Sequence, residues 1–444
     1  MNLAITRTLG AVPLAALLAL PLAAADKPEL IGVGAIPGTA TDGSGLTGLL
    51  EDGVTPGNLV GGLGSAIAYT GYGDLYMMTP DRGPADGTTS YVDRAYVVKI
   101  DVRRSHADPA GYVVSPRILS TRLLSHGWRK FFTGKASAFD PTNSPASARL
   151  DPEGIRLARC GAGFYVSDEY GPFLYEFRPN GRRERVIDLP RKFLIDLPSA
   201  NPTTELTGNA FGRQSNRGME GLAISPDGSK LYGMMQNALI QDGGLDASAS
   251  RVGLNNRIVE IDVRTGAARE FLYVLDSKSN GTNEILAVND HQFLVLERDG
   301  KAGSSAKFKK IFLIDIAGAT DIRGLKQLPT DTVPAGVTPV EKTLFLDLLD
   351  PAYGIAGAST PEKFEGMAFG PDLHDGRHLL LVTTDNDFVQ TQPSYFFAFA
   401  IDPSDLQLEP QQFGGCPADC REDDARDGGS HAGDDRTRET GLYR

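Results

Sequence analysis

The stretch "KFEGMAFGPD" (363–372), followed closely by "HLLLVTTDND" (378–387), decides the fold. A carboxylate, Glu365, opens a short apolar run. A turn of Gly, Pro and Asp follows, and a second apolar run ends in Asp385 and Asn386. One such phrase says little, but this one recurs. It is matched by "GLGSAIAYTGYGDLYMMTPDRG" (62–83), "DPEGIRLARCGAGFYVSDEYG" (151–171), "GMEGLAISPDGSKLYGMMQN" (218–237) and "TNEILAVNDHQFLVLERDG" (282–300). Each copy has an acid or small polar residue, a strand of about five residues, a turn and a second strand ending in charged or amide residues.

One or two further strands follow each copy, as in "RAYVVKIDV" (94–102), "FLYEFRPNGR" (173–182), "NRIVEIDVRTG" (256–266), "KIFLIDIAG" (310–318) and "YFFAFAID" (395–402). Several end in Asp or Asn before Gly, a hairpin signal. The unit is therefore a four-stranded antiparallel meander, and repeated meanders are propeller blades. The chain reads as all-β, a β-propeller of five or six blades. Five units are counted directly, and a sixth, degenerate one is left open. "ELIGVGAI" (29–36) precedes the first unit and is expected to complete the last blade and close the ring. "VEKTLFLDLLD" (340–350) reads as an outer strand. The polar insertions 103–148, 191–217, 238–254 and 319–340 read as loops over one face.

The 51 glycines and 28 prolines among 444 residues favour turns and short strands over long helices. The N-terminus carries Arg7, an apolar stretch from Leu9 to Leu22 broken by two prolines, and Ala23–Ala25 before Asp26. This is the pattern of a signal peptide over 1–25, and no other segment is long and apolar enough to span a bilayer. Loss of 1–25 removes Arg7 and no acid, so the net charge moves from −12 to −13. Such a chain is a poor partner for nucleic acid or anionic membranes. The expected domains are the leader, a propeller over 26–412 and a polar, disordered tail over 413–444. A periplasmic or extracellular monomer is expected. Of three cysteines, Cys160 reads as a small buried hydrophobe in a strand, and Cys416 and Cys420 as a small loop disulfide or free thiols.

In a propeller the first strand of each blade lines the central channel, so an acid at its start faces the axis. The repeat places Glu153, Glu220, Glu284 and Glu365 at equivalent positions, with Ser65 in the first blade. The second strands bring Asp81, Asp168, Glu169, Asn237, Glu297, Asp385 and Asn386 to the same mouth. Converging carboxylates repel one another. A hard cation such as Ca²⁺ relieves this with oxygen ligands. So do Arg82, Arg217, Arg298 and Lys363, if they pair with the acids. Both readings remain open. No G-x-S-x-G, H-E-x-x-H or P-loop occurs, so the corresponding hydrolases and nucleotide enzymes are not indicated.

The ordered set "YMMTPDRGP" (76–84), "DPEGIRLA" (151–158), "YVSDEYGPFLYEF" (165–177), "NRGMEGLAISPDG" (216–228), "NEILAVND…FLVLERDG" (283–300) and "KFEGMAF" (363–369) resembles the family called esterase-like activity of phytase, the phytase-like domain of secreted bacterial propellers. The resemblance runs from about residue 29 to 410. It implies hydrolysis of a small phosphate or carboxylic ester, with Ca²⁺ at the axis polarising water or a carbonyl. Carried onto this chain it makes Glu153, Asp168, Glu220, Glu365 and Asp385 candidate metal ligands. Glu169 or Glu297 is the candidate base, and Arg82 and Arg298 the candidate holders of an anionic group. The rival is a binding or scaffold propeller whose acid ring is structural.

Overall fold

The computed structural model describes residues 27–105 and 111–414. The expected signal peptide and the pair Cys416 and Cys420 lie outside these residues, as does all but the start of the expected tail. Five four-stranded antiparallel sheets form the blades of a β-propeller. Blade one holds Ala66–Tyr69, Leu75–Thr79, Arg94–Arg104 and Tyr112–Leu123. Blade two holds Pro152–Leu157, Phe164–Asp168, Phe173–Phe177 and Arg183–Ile187. Blade three holds Met219–Ile224, Lys230–Met235, Asn255–Asp262 and Ala268–Val274. Blade four holds Asn280–Ala287, Gln292–Asp299, Lys309–Asp315 and Glu341–Asp347. Blade five holds Lys363–Phe369, His378–Asp385 and Ser394–Ile401, and its outer strand is the N-terminal Glu29–Ile36.

The closing strand lies where the sequence put it, with Val33 opposite Phe397. The described residues form five blades, so of the two open counts, five and six, it is five that is found. Two expectations need correction. The insertion 103–148 is not all loop, because 112–123 is the outer strand of blade one. Cys160 is half-buried in a turn at φ 65°, not in a strand, and is disulfide-bonded.

The apolar runs such as "FLVL" do not alternate with polar residues, because both faces of each blade are buried. Phe293 and Val295 pack toward blade three with Tyr232 and Phe271. Leu294 and Leu296 pack toward blade five with Leu380 and Val382. Leu379 and Leu381 pack instead toward blade one with Ile67 and Met78. Five such cores, one at each junction between neighbouring blades, hold the ring shut. Each buried Leu, Val or Phe contributes about 1.5–3 kcal/mol.

The inner strands converge on the axis, and their E-G dipeptides have a steric cause. A Cβ on Gly154 would lie 2.6 Å from Leu222 Cβ, and one on Gly221 2.8 Å from the Ile285 nitrogen. A Cβ on Gly366 would lie 2.9 Å from the Gly64 carbonyl oxygen. Real Cβ atoms do not come so close, so the neighbouring inner strand admits only glycine there.

Candidate active site

The register breaks at the same place in four inner strands: between Pro152 and Gly154, Met219 and Gly221, Thr282 and Glu284, and Phe364 and Met367. Such a bulge re-aims the side chain it carries. It turns Glu153, Glu220, Asn283 and Glu365 into a cavity of about 610 Å³ at one mouth of the channel. Blade four therefore contributes Asn283, not the expected Glu284, which is one residue further on. That residue instead holds Arg156, whose Nη2 lies 3.0 Å from Glu284 Oε2. Arg156 also donates to the carbonyl oxygens of Ile67 in blade one (3.0 Å) and Ile285 in blade four (2.9 Å). This guanidinium links three blades across the channel and lines a second cavity. That cavity is apolar, measures about 350 Å³ and is also lined by Ile67, Ile224, Leu286 and Phe369.

Several acids meet a cation inside the protein. Arg82 Nη1 lies 2.6 Å from Asp151 Oδ2 and 3.5 Å from Glu169 Oε2. Arg298 Nη2 lies 2.7 Å from Glu365 Oε1. Lys363 Nζ lies 2.8 Å from Asp385, 3.4 Å from Asp81 and in contact with Asp387. Even so, burial pushes the Asp385 carboxyl up to about 8, against the pull of Lys363 and with the neighbouring charges of Glu365 and Asp81 adding to it.

A second set is matched less fully, Arg82 reaching only Glu169 among its members. Ligand atoms of Glu153, Glu169 and Glu220 all lie within 4.8 Å of one another. Glu220 Oε1 accepts from Asn283 Nδ2 (2.7 Å) and from Gln236, while its Oε2 is buried with no hydrogen-bond partner. Burial, with Glu220 and then Asp151 as the nearest like charges, drives the Glu153 carboxyl well above its ordinary range. Burial and the charges of Glu169 and Glu365 do the same to Glu220. Among the described residues the Glu169 carboxylate meets the Gly218 N–H at 3.3 Å and Arg82. The donor set is all oxygen, carboxylate and amide, which suits a hard divalent cation. The orphaned Glu220 oxygen is what such an ion would satisfy.

The other expected residues are placed differently. Asp168 is buried beneath the cavity and accepts from the N–H groups of Asp151 (3.0 Å), Tyr170 (3.0 Å) and Gly171 (2.9 Å). It fastens a turn, and its oxygens are occupied. Glu297 lies off the axis, taking Tyr273 Oη (2.8 Å), Asn280 Nδ2 (2.7 Å) and Lys342 Nζ (2.7 Å). It does not line the cavity. Asp151 and Asp387 were not singled out from the sequence. Asp151 stands directly before the Pro-Glu-Gly of its repeat, and Asp387 ends the "TDND" of the last one, so position in the repeat was the available signal.

A five-bladed propeller with an acid-lined axial cavity defines the class. The chain belongs to the phytase-like family, described as esterase-like activity of phytase, whose model matches residues 58–388. It is 27% identical, over 81% of its length and 86% of the relative's, to an uncharacterized secreted protein of the fungus Arthroderma benhamiae. The expected bacterial setting is thus not a boundary that this likeness respects. Among solved structures it is similar to the β-propeller domain of Cps50 (Swd1) from Myceliophteria thermophila, with TM-score 0.31 and 10% identity over 76% of this chain and 83% of that one. It is also similar to a putative 6-phosphogluconolactonase from Bacteroides uniformis, with TM-score 0.29 and 11% identity over 76% and 85%.

Proposed function

We propose that this chain is a secreted, metal-assisted hydrolase of phosphate or other esters, with its site in the axial cavity. The observation that carries the reading is the Glu153, Glu169 and Glu220 cluster, a buried triad of carboxylates whose Glu220 Oε2 has no partner. Glu153 and Glu220 would hold a divalent cation, with Asn283 and Gln236 steadying Glu220. Bound there, the ion supplies Lewis acidity, drawing electron density from a substrate oxygen. Glu169, at the edge of the triad, takes the proton of the attacking water. Arg82 holds Glu169 in place, and Asp151 holds Arg82. Secretion is supported by the leader-like sequence and by the secreted relative. No helix among the described residues is long and apolar enough to cross a membrane.

The test is turnover by the mature protein, with calcium and after chelation, on phosphomonoesters, phytate and short acyl esters. Calcium-dependent turnover that disappears in Glu220→Gln supports the reading. Silence on all three substrate classes under both conditions removes it. A second reading, a binding propeller with a structural acid ring, draws on the ion pairs of Asp151, Glu365 and Asp385 with their own cations. It expects full stability in chelator and no turnover.

A further inference from the structure

The acids of the cavity are not the only charges there without a partner of opposite sign. Arg217 and Arg251 both line it. Among the described residues neither guanidinium makes an ion pair; their contacts are to neutral oxygens. Arg217 Nη1 donates to the Asn216 carbonyl oxygen at 2.5 Å. Arg251 Nε donates to Gln214 Oε1 (3.2 Å), and its Nη2 to the Ser215 carbonyl oxygen (2.8 Å).

The two heads are held against one structure, the turn 214–217, closed by the Arg217 N–H donating to the Gln214 carbonyl at 3.1 Å. Gln214 is buried and donates to the carbonyl oxygens of Ala238 (2.8 Å) and Gly244 (3.3 Å), so the turn is locked to the loop that carries Arg251. Asn216 stands in this turn at φ 53° and lines the cavity, and its Oδ1 is buried with no partner. Arg251 as a whole residue is exposed, but desolvation of its guanidinium and then the charge of Arg217 lower its pKa to about 10, against the opposing pull of Glu169. Glu169 and Glu220 act on the two guanidiniums through space but form no ion pair with them, so two like charges stand side by side with N–H donors that an anion could still take. Arg82 and Arg298, the arginines the sequence suggested for an anion, are engaged by Asp151 and Glu365.

We propose that Arg217 and Arg251 form a subsite for an anionic group, a phosphate or a carboxylate, so that the cavity selects esters that carry a negative charge. The word ester rests on the hydrolase reading; the anion subsite does not. Planar guanidinium groups suit both anions, since each offers paired N–H donors to paired oxygens. The Glu153, Glu169 and Glu220 triad belongs to the same cavity, so an anion on the arginines places its neighbouring bond toward the carboxylates.

The test is calorimetric titration of the mature full-length chain with inorganic phosphate at low ionic strength, in chelator so that no calcium phosphate forms. Acetate is titrated in parallel. Wild type should bind phosphate saturably, and Arg217→Gln and Arg251→Gln should each weaken binding about tenfold or more. Arg251→Lys should keep part of the affinity. Lys278→Gln removes a rim ammonium already 3.1 Å from Asp331 and should change binding less than about twofold. Melting curves of each variant separate lost binding from lost folding. No saturable binding of either anion by wild type, or unchanged binding in both arginine variants, overturns the subsite. Acetate binding as tightly as phosphate assigns the subsite to carboxylate-bearing substrates. Anion binding that depends on both arginines, with no ester turned over, leaves the subsite standing and removes the hydrolase reading alone.

Discussion

Arg156 of the second blade and Glu284 of the fourth meet at 3.0 Å across the propeller axis, both almost wholly buried. Arg156 lines the apolar cavity, and the pair ties two non-adjacent blades of the ring together. Breaking a buried pair leaves an uncompensated charge, at a cost of about 3–5 kcal/mol. Arg156→Met and Glu284→Gln should each lower the urea midpoint by that order. The double variant should lose clearly less than the sum. Additive losses would show that the two residues do not act together.

Calcium should protect the chain against heat through the triad and not through the ring as a whole. The melting temperature after chelation should rise on adding calcium, as it must for any ligand bound only by the folded state. Glu220→Gln should abolish most of that rise. Glu365→Gln, which removes the partner of Arg298, should lower stability yet preserve the calcium increment. Equal loss of the increment in both would mean that Glu365 shares the ion with the triad.

Stability in chelator should fall as pH rises from about 4.5 to about 8. Burial is the first cause in each case: it pushes Asp385 up to about 8, from 3.8, and Glu284 to about 7, from 4.5. Between those limits the folded chain keeps protons that the unfolded chain has released, so raising the pH favours unfolding. Glu284→Gln removes one of these groups and should shrink the fall by on the order of 2–3 kcal/mol. With calcium present the trend should weaken or reverse, because ligands must be deprotonated to bind. Denaturation midpoints at pH 5 and 7.5, with and without the ion, check both signs.

Glu169→Gln should reduce kcat by about 10² or more on any ester the chain hydrolyses, with little change in KM, as expected for a lost proton acceptor. Glu297→Gln should leave kcat nearly unchanged once stability is allowed for, since its oxygens are occupied by Tyr273, Asn280 and Lys342. A larger kinetic loss at Glu297 than at Glu169 would move the chemistry away from the axial mouth.

Gly221→Ala tests the steric origin of the E-G dipeptide. The added Cβ would lie 2.8 Å from the Ile285 nitrogen, in backbone that cannot move alone. A loss of about 1–3 kcal/mol in denaturant is expected, as for an overpacked core.

The blades were legible because turn chemistry and apolar runs repeat along the chain, and the closing strand because one such run stood ahead of the first repeat. The site was legible only in part. Glu153, Glu220 and Glu365 follow from the repeat, but Glu284 was misplaced by one residue. Its repeat reads T-N-E where the others read P-E-G, M-E-G or F-E-G, and only the bulge shows that Asn283 holds the cavity-facing position. Asp168 and Glu297 share their sequence context with cavity residues. What separates them is which backbone and side-chain donors fold over them, and that depends on contacts distant in sequence. The arginines divide for the same reason: Arg298 meets Glu365 from the next blade, while Arg217, three residues before Glu220, feels that carboxylate's charge but makes no ion pair among the described residues.

The pairing of Glu29–Ile36 with Ser394–Ile401 makes the propeller a clasped circle. The first and last described strands are stapled by a ladder of hydrogen bonds, so the ring is closed by pairing and not by a covalent link. A single proteolytic nick in a surface loop would then open the polypeptide without opening the ring, and the two fragments would stay together as one particle. The clasp joins segments more than 350 residues apart, a contact far less local than the meander within each blade, and such contacts slow folding.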